Sequence, residues 1–560
     1  MKVKHYDNNF HIKCETWENT RVKKAPNAKI DKATGLWTLA ETVANAHWLE
    51  REAGQHEITE LVKSKILTVK SRATSNTPFP TWYKFKTDPM PHQLSALNAA
   101  WKKEQIGLFM EMGTGKTWVD IQLACAYRME GDIDALVVIC PTAIKPVWEI
   151  ELDKHAPIPV QTHILEAGKY KAFERWAKQK HDFPVLIVGI EGLSQGNADQ
   201  YVLNFVKGRR CMLSIDESSS IKNFKSQRTE KCWDIGAAAV IRTVMTGTPI
   251  TQGIEDLFAQ FFFLNWEIIG QKSFYAFRNR YCEMGGFENK KITGYQNIGE
   301  LLEITSKHVY ICTKKEALDL PDKVFAERYI EPSPAQKKAI RELKEDHETK
   351  IGLQLLECET MLERMTRFQQ ICGGNYPYKI DEDNPDSKWA TEPLPGKNPK
   401  MDELFQVLDD LPKGVKVIIW ARFIPEIELI LKNLEEKRPG TTLHYYGGTE
   451  KSKRRATLDS FQEDPQFTQM VSNQQIGGMG VTWTAATYVI YYSNTFSYQD
   501  RIQSEDRAHR KGQTNKVTYI DLILNVDQDK MIKTALARKQ SMADYVTENM
   551  QLAQLALTGI

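Results

Sequence analysis

The sequence predicts an α/β protein of two tandem parallel-sheet lobes with helical insertions, preceded by a small α+β domain. Three observations predict it. Short apolar runs alternate with helical stretches between about residues 86 and 265, and the alternation resumes near Lys400. The runs are continuous, not every other residue, as in strands buried on both faces. One run, residues 106–110, leads into Gly113-Thr114-Gly115-Lys116-Thr117 and then a helix-like stretch, the order of a phosphate-binding loop.

Taken in order, residues 1–85 read as a separate module. A turn around Gly35 divides two strand-like pieces, a helix follows over 40–53, and residues 75–80 (Ser-Asn-Thr-Pro-Phe-Pro) read as a linker. The first lobe is expected over 86–325, with strands at 136–139, 185–188, 212–215 and 241–245. Residues 266–375 read as helical and charged, 375–399 as a loop rich in Pro, Asn and Asp, and 326–399 as a helical insertion with its linker. The second lobe is expected over 400–560, with strands at 415–420, 469–472, 488–492 and 517–523 and helices at its C-terminal end. No phosphate loop recurs there, so this lobe is expected to complete the site of the first.

Composition narrows the function classes. A chain of 560 residues with 41% hydrophobic and 10% aromatic residues has material for several large cores. Mean hydropathy is −0.46, and no apolar run approaches the roughly 20 residues of a membrane span. Met1-Lys2-Val3-Lys4-His5-Tyr6 lacks the apolar core of a signal peptide, so a cytoplasmic location and no membrane partner are expected. The nine cysteines form no Cys-x-x-Cys pair and are odd in number, which argues for reduced thiols and against a disulfide framework or zinc knuckle. A net charge of +2 does not announce nucleic acid. Local charge does more: residues 1–86 hold 15 Lys/Arg against 9 Asp/Glu, and Lys451-Ser452-Lys453-Arg454-Arg455 is a second basic cluster.

The chemistry is concentrated in two stretches about a hundred residues apart. In the first, Gly113, Thr114 and Gly115 can wrap the phosphates of a nucleoside triphosphate, Lys116 can neutralise the outer ones, and the Thr117 hydroxyl can hold Mg²⁺. In the second, Asp216-Glu217-Ser218-Ser219 closes a β-like run, so Asp216 can hold the same Mg²⁺ while Glu217 orients and deprotonates a water. Each stretch alone is a weak signal, and Met110 stands where the usual loop has Gly. Their order, spacing and strand context make the pair specific. Thr246-Gly247-Thr248-Pro249, after a further strand, can link a γ-phosphate to a moving face. Within Gln503–Gln513, Arg507 and Arg510 share a face if the segment is helical or turn-like. Two guanidiniums facing a triphosphate act as arginine fingers, typically worth ~10³ to 10⁵ in rate.

Together these motifs resemble superfamily 2 helicase-like ATPases, and among them the Swi/Snf-type double-stranded DNA translocases, over about residues 88–525. Met90-Pro91-His92-Gln93 is similar to the family's adenine-reading motif, with Gln93 as base contact. Glu111-Met112-Gly113-Thr114-Gly115-Lys116-Thr117 resembles its phosphate loop, and Cys140-Pro141-Thr142 with Trp148 its first DNA-contact motif. Asp216 to Asn223 resembles the acidic motif down to Ile221-Lys222-Asn223, and Thr246 to Pro249 with Asp256-Leu257 the next. Leu320-Pro321-Asp322-Lys323 resembles the lead into the second lobe. Ile418 to Phe423, Gly447-Gly448-Thr449 through Arg455, Gly477 to Ala486 and Gln503 to Gln513 resemble the second-lobe motifs.

The resemblance implies ATP and Mg²⁺ held between two RecA-like lobes. It implies nucleotide contacts from Gln93, Gly113, Thr114, Gly115, Lys116, Thr117, Gly480 and Gln503, and Mg²⁺ held by Thr117 and Asp216. Glu217, Lys116, Arg507 and Arg510 carry the catalysis, and Thr142, Ser194, Lys222, Gly447, Thr449 and Thr484 contact DNA. Several positions depart from the pattern. Met110 replaces an Asp, Ser219 a coupling His, Thr482-Trp483 an Asn-Leu, and Lys511-Gly512 an Ile-Gly, so the coupling of DNA to hydrolysis is where the chain differs most. The basic, Trp37-containing N-terminal module is similar to the small substrate-recognition domain of annealing helicases that remodel forks. The expected partners are double-stranded or forked DNA and other replication or repair proteins, and the expected state is a monomer. Short inserts and the lack of histone-reader modules point to a bacterial or phage DNA-maintenance role. The competing readings are a strand-separating DNA or RNA helicase and an ATP-switched nucleic-acid-binding module.

Overall fold

The computed structural model describes every residue except 7–8, 24, 26–27, 32–33, 42, 53–57, 72–76, 287, 289–290, 352–357, 381–388, 451, 476–481 and 559–560. The chain divides into two units, Met1–Leu318 with Met542–Ile560, and Asp319–Ser541.

The first unit opens with an antiparallel sheet of β1 (Lys2–Tyr6), β2 (Asn9–Lys13), β3 (Lys29–Ile30) and β4 (Trp37–Ala40), in the order β1-β2-β4-β3. Gly35, at φ +69°, supplies the left-handed residue that the β3–β4 connection needs, which is the turn expected from the sequence. Val3, Phe10, Ile12, Trp37 and Leu39 are buried with Leu49, Val62 and Ile66 from helices Val43–Glu52 and Glu60–Ser71. β1 and β2 were not expected. Their alternate residues are Lys, His and Asn, so the apolar half of the period-two pattern is short.

The first lobe contains β5 (Gln105–Met110), β6 (Ala135–Cys140), β7 (Gln161–Leu165), β8 (Pro184–Gly189), β9 (Cys211–Asp216) and β10 (Ile241–Thr246). An antiparallel hairpin, β11 (Cys282–Gly285) and β12 (Lys291–Tyr295), precedes β13 (Val309–Cys312). The sheet is parallel throughout, in the order β13-β5-β10-β9-β6-β8-β7. Every residue of β5, β6, β8 and β9 is buried, as continuous apolar runs require. β7 and β13, which the sequence did not reveal, are the two edges. β7 is only half-buried and carries Gln161, Thr162 and His163.

The second unit contains β14 (Lys323–Ile330), the antiparallel hairpin β15 (Asn375–Lys379) and β16 (Trp389–Pro393), then β17 (Lys416–Trp420), β18 (Thr442–Tyr445), β19 (Gln469–Ser472), β20 (Ala486–Tyr491) and β21 (Val517–Leu524). Its parallel sheet runs β14-β21-β20-β17-β19-β18. β14 pairs with β21 from Lys323↔Val517 to Ile330↔Leu524, so it crosses the expected boundary at 325/326 and belongs to the second sheet. The segment expected as a loop over 375–399 contains the β15–β16 hairpin. The C-terminal helix Asp527–Thr558 starts in the second unit, whereas its stretch from Met542 belongs to the first, where Val546 and Met550 are buried. Among the described residues no helix is long and apolar enough to cross a membrane. Cys14, Cys125, Cys140, Cys211, Cys232, Cys282, Cys312 and Cys372 are free thiols.

Below the second-lobe motifs lies a buried ion network. Arg501 donates to Glu505 at 2.8 Å, to Asn494 at 2.7 Å and to Asp521, and its guanidinium lies 3.5 Å from the Tyr491 ring centre. Burial alone would raise the Asp521 carboxyl, but Arg501 and Lys533 more than offset it and hold it down at about 2. A lowered carboxylate stabilises the fold above the ordinary Asp range and loses that contribution as pH falls toward 2. Arg501→Met leaves buried Asp521 to Lys533 and Asn494, and Glu505 to Lys323. It is expected to lower the stability of the second unit by about 3–5 kcal/mol at pH 7, read by denaturant unfolding, with a smaller loss at pH 3.

Candidate active site

The carboxyl ends of three neighbouring strands, β5, β10 and β9, converge in the first lobe. From β5 comes the phosphate loop. Gly113 and Gly115 sit at φ +88° and +87°, where only glycine is unstrained. Lys116 Nζ donates to the Met110 carbonyl at 2.8 Å. Met110 thus contributes its main chain, while its side chain is fully buried, so the departure from the usual Gly or Asp leaves the loop geometry intact. The Thr114 hydroxyl donates to the Glu111 carbonyl at 2.7 Å and closes the loop on itself.

Gln93 lies against this loop. Its Oε1 accepts from the Met90 amide at 2.9 Å, and its Nε2 is 3.5 Å from the Thr114 carbonyl. A Cβ on Gly115 would stand 2.1 Å from that Nε2. His92 also reaches the Thr114 carbonyl, at 2.7 Å. From β10, Gly247 brings the Thr246–Pro249 segment against the loop, where a Cβ would meet the Met112 amide nitrogen at 3.0 Å.

From β9 comes the acidic motif. Asp216 is buried; its Oδ2 accepts from the Trp148 indole at 2.9 Å and its Oδ1 from the Glu217 amide at 2.9 Å. Burial raises the Asp216 carboxyl, and Lys116 partly offsets it. Glu217 has φ +51°, an uncommon left-handed conformation for a side-chain-bearing residue. The strain sits on the residue expected to handle water. Ser218 donates to Gln260 Oε1 at 2.7 Å, and Gln260 Nε2 donates to the Pro249 carbonyl at 2.8 Å. The acidic motif and the Thr246–Pro249 segment are therefore linked through Gln260 rather than through position 219. Ser219 Oγ is buried without a partner.

The structure gives several of the expected DNA-contact residues partners within the chain. Trp148, grouped with the DNA-contact motif, is fully buried and serves Asp216. Lys222 donates to Thr251 Oγ1, which in turn donates to Asp256 at 2.8 Å, so Lys222 braces the Thr246–Pro249 segment. Thr142 and Ser194 do come together at the ends of β6 and β8. Thr142 donates through its amide (2.9 Å) and hydroxyl (2.6 Å) to Glu191, and Ser194 donates to the Glu191 carbonyl at 3.0 Å.

In the second unit, Gly480 lies outside the described residues. Gln503 is half-buried in helix Tyr498–Glu505. That helix ends before Arg507, so Arg507 and Arg510 sit on turns. Arg507 is fully buried and its carbonyl accepts from the Trp483 amide at 2.9 Å; Arg510 donates to the Thr482 hydroxyl at 2.8 Å. The Thr482-Trp483 departure thus ties two second-lobe motifs together. Thr449 uses its hydroxyl to accept from the Tyr446 amide at 3.0 Å, which closes the turn holding Gly447. Thr484 accepts from Gln462 at 3.2 Å.

A model of the SNF2-related domain matches residues 92–376, just over half of the chain, and a model of the helicase conserved C-terminal domain matches residues 399–512. The chain belongs to the SNF2-related family. This SNF2-related chain is 25% identical over 449 residues to a putative ATP-dependent helicase/translocase, YwqA, of Bacillus subtilis (strain 168), covering 78% of this chain and 46% of that protein. It is 23% identical over 546 residues to the Caenorhabditis elegans homologue of SWI/SNF-related matrix-associated actin-dependent regulator of chromatin subfamily A-like protein 1, covering 94% and 72%. It thus spans less than half of the first relative. Among solved structures it is similar to the Sulfolobus solfataricus SWI2/SNF2 ATPase core in complex with dsDNA, at 22% identity and TM-score 0.38, covering 86% and 97%.

Sequence reasoning missed Asp120, although a carboxylate inside Trp118-Val119-Asp120-Ile121 is a visible anomaly. It is fully buried one turn into helix Lys116–Met129. The Thr243 hydroxyl lies 2.8 Å from its Oδ1 and 2.8 Å from Ser214 Oγ. Burial pushes its carboxyl up to about 7. The folded state then binds more protons than the unfolded state between the ordinary Asp range and about pH 7, so its contribution to stability falls as pH rises through that window. Asp120→Asn is expected to lose less thermal stability than wild type between pH 5 and pH 8. Gly115→Ala, which forces a Cβ onto the end of Gln93, is expected to lower ATP hydrolysis at least about tenfold, equivalent to roughly 1.4 kcal/mol of lost transition-state stabilisation, with the chain still folded.

Proposed function

We propose that this SNF2-related protein is an ATP-dependent DNA translocase that moves along double-stranded or branched DNA in replication, repair or recombination. The observation that carries the proposal is the convergence of Lys116, Asp216 and Glu217 at the ends of β5 and β9, beside the Gly247 segment on β10. The donor set suits Mg²⁺, which takes few protein oxygens and keeps water and phosphate ligands. Thr117 and Asp216 would hold it, and when bound it supplies charge neutralisation between the phosphates.

The chain's own groups divide the remaining work. The amides of Gly113, Thr114 and Gly115 and the Lys116 ammonium bind the triphosphate, and Gln93 stands where the base is read. Glu217 orients a water toward the γ-phosphorus and accepts its proton. Arg507 and Arg510, the second-unit guanidiniums, stabilise the charge that develops on the γ-phosphoryl oxygens when the lobes close. Gly480 and Gln503 complete the nucleotide contacts. Thr142, Ser194, Gly447 and Thr484 lie in the segments that grip DNA phosphates, a sequence-blind and salt-sensitive contact. Thr449 acts one step behind, holding the Gly447 turn in shape, and Lys222 holds the residues after Pro249 through Thr251.

Steady-state ATP hydrolysis by wild type and Glu217→Gln, with no nucleic acid, single-stranded DNA, duplex, fork or RNA at two salt concentrations, tests this. The expected result is stimulation by duplex or fork that weakens with salt, and a loss of roughly 10² to 10⁴ in the variant. Stimulation by single strands or RNA alone would replace the proposal with a strand-separating helicase, and no stimulation would leave only an ATP switch.

A further inference from the structure

The N-terminal sheet has one face packed on helices and one face open, and the open face has a composition of its own. In the β1–β2 register Lys2 stands directly opposite Lys13, Lys4 opposite His11 and Tyr6 opposite Asn9. In the β2–β4 register His11 stands opposite Thr38. Lys2, Lys4, Tyr6 and Lys13 are exposed, and no Asp or Glu occupies this face among the described residues. Like charges placed directly opposite each other across a sheet are destabilising, so folding does not explain the Lys2–Lys13 pair. An anion laid over the face would.

The aromatic pair on the same face narrows the choice of anion. The Tyr6 and His11 rings stack with centres 3.7 Å apart and planes 4° from parallel, and Tyr6 remains 43% exposed. Thr38 Oγ1 lies 3.3 Å from His11 Nδ1 and fixes the lower ring. The stack therefore presents a flat, ordered ring to solvent, on a strand where Lys2, Lys4 and Tyr6 follow each other at about 6.8 Å. A duplex hides its base faces, the Asp and Glu side chains of an acidic peptide bring no ring to the stack, and a lipid surface calls for protruding apolar side chains. A single strand offers both phosphates for the lysines and bare base faces for Tyr6.

We propose that the open face of β1, β2 and β4 is a binding platform for single-stranded DNA, with Tyr6 stacking on a base and Lys2, Lys4 and Lys13 contacting phosphates. This goes beyond the translocase proposal and stands without it, because the platform neither contains nor touches the nucleotide-binding residues.

The test uses the full chain without ATP and a fluorescein-labelled 20-mer oligothymidine, followed by anisotropy between about 50 and 200 mM salt, the range over which phosphate contacts show. Tyr6→Ala is expected to weaken binding about tenfold, the usual scale of one base–aromatic stack, while Tyr6→Phe restores it. The combined variant Lys2→Gln, Lys4→Gln, Lys13→Gln is expected to flatten the slope of log affinity against log salt by about 2, near 0.7 for each phosphate released. Thiothymidine photo-cross-links should map to residues 1–13. Unchanged affinity and slope in both variants, an equal loss for a blunt duplex of the same length, or cross-links confined to residues beyond 85 would each overturn the proposal. Thermal unfolding of each variant separates loss of the platform from loss of the fold. Duplex-stimulated ATP hydrolysis, measured alongside, reports on the translocase proposal alone.

Discussion

The structure of the first lobe depends on one constraint: β10 lies between β5 and β9 in a parallel sheet, hydrogen-bonded to both. Parallel pairing points all three carboxyl ends the same way, so the loops that leave them are neighbours. The phosphate loop, the Thr246–Pro249 segment and the Asp216-Glu217 pair meet for that reason, although about a hundred residues or more separate the first from the others. The fit is close enough that a Cβ on Gly247 would crowd the Met112 backbone, and one on Gly115 would displace the end of Gln93.

A site assembled this way has to hold charge in a dry place. Asp216 is buried, and its carboxylate is kept usable by hydrogen bonds from Trp148 and Glu217 and by the Lys116 charge. Asp120, buried in the same lobe, has two hydroxyls and no cation beside it among the described residues, and burial moves it toward the neutral acid. Burial raises both carboxyls, against the Lys116 charge at Asp216 and against two hydroxyls at Asp120. The second unit solves the same problem differently, surrounding Arg501 with Asp521, Glu505 and Asn494 so that every charge has a partner.

The departures from the family pattern are compensated locally. With Ser219 in place of the coupling His, the route from the acidic motif to the next segment runs through Ser218 and Gln260. With Thr482 and Trp483 in place of Asn-Leu, the hydroxyl accepts from Arg510 and the indole fills a core with Trp420, Tyr445 and Phe461. The motifs are thus joined by hydrogen bonds that a pattern of residue types does not display.

By itself the sequence determined the fold class, most interior strands and the glycine-lysine loop that leaves β5. Each of these leaves a local mark: four to six consecutive apolar residues for a doubly buried strand, glycines where φ must be positive, a lysine and threonine opening a helix. Only the tertiary structure decided the edge strands β7, β13 and β14, the hairpin at β15–β16, and the hidden partners Trp148, Gln260 and Asp120. β7 and β14 are half-buried or exposed over most of their length, so their sequences carry a weak hydrophobic signal, whereas β13 is buried but only four residues long. The partners were invisible for a different reason: a hydrogen bond between residues 42 or 68 positions apart is created by the order of strands in the sheet, and nothing in the neighbourhood of either residue along the chain records it.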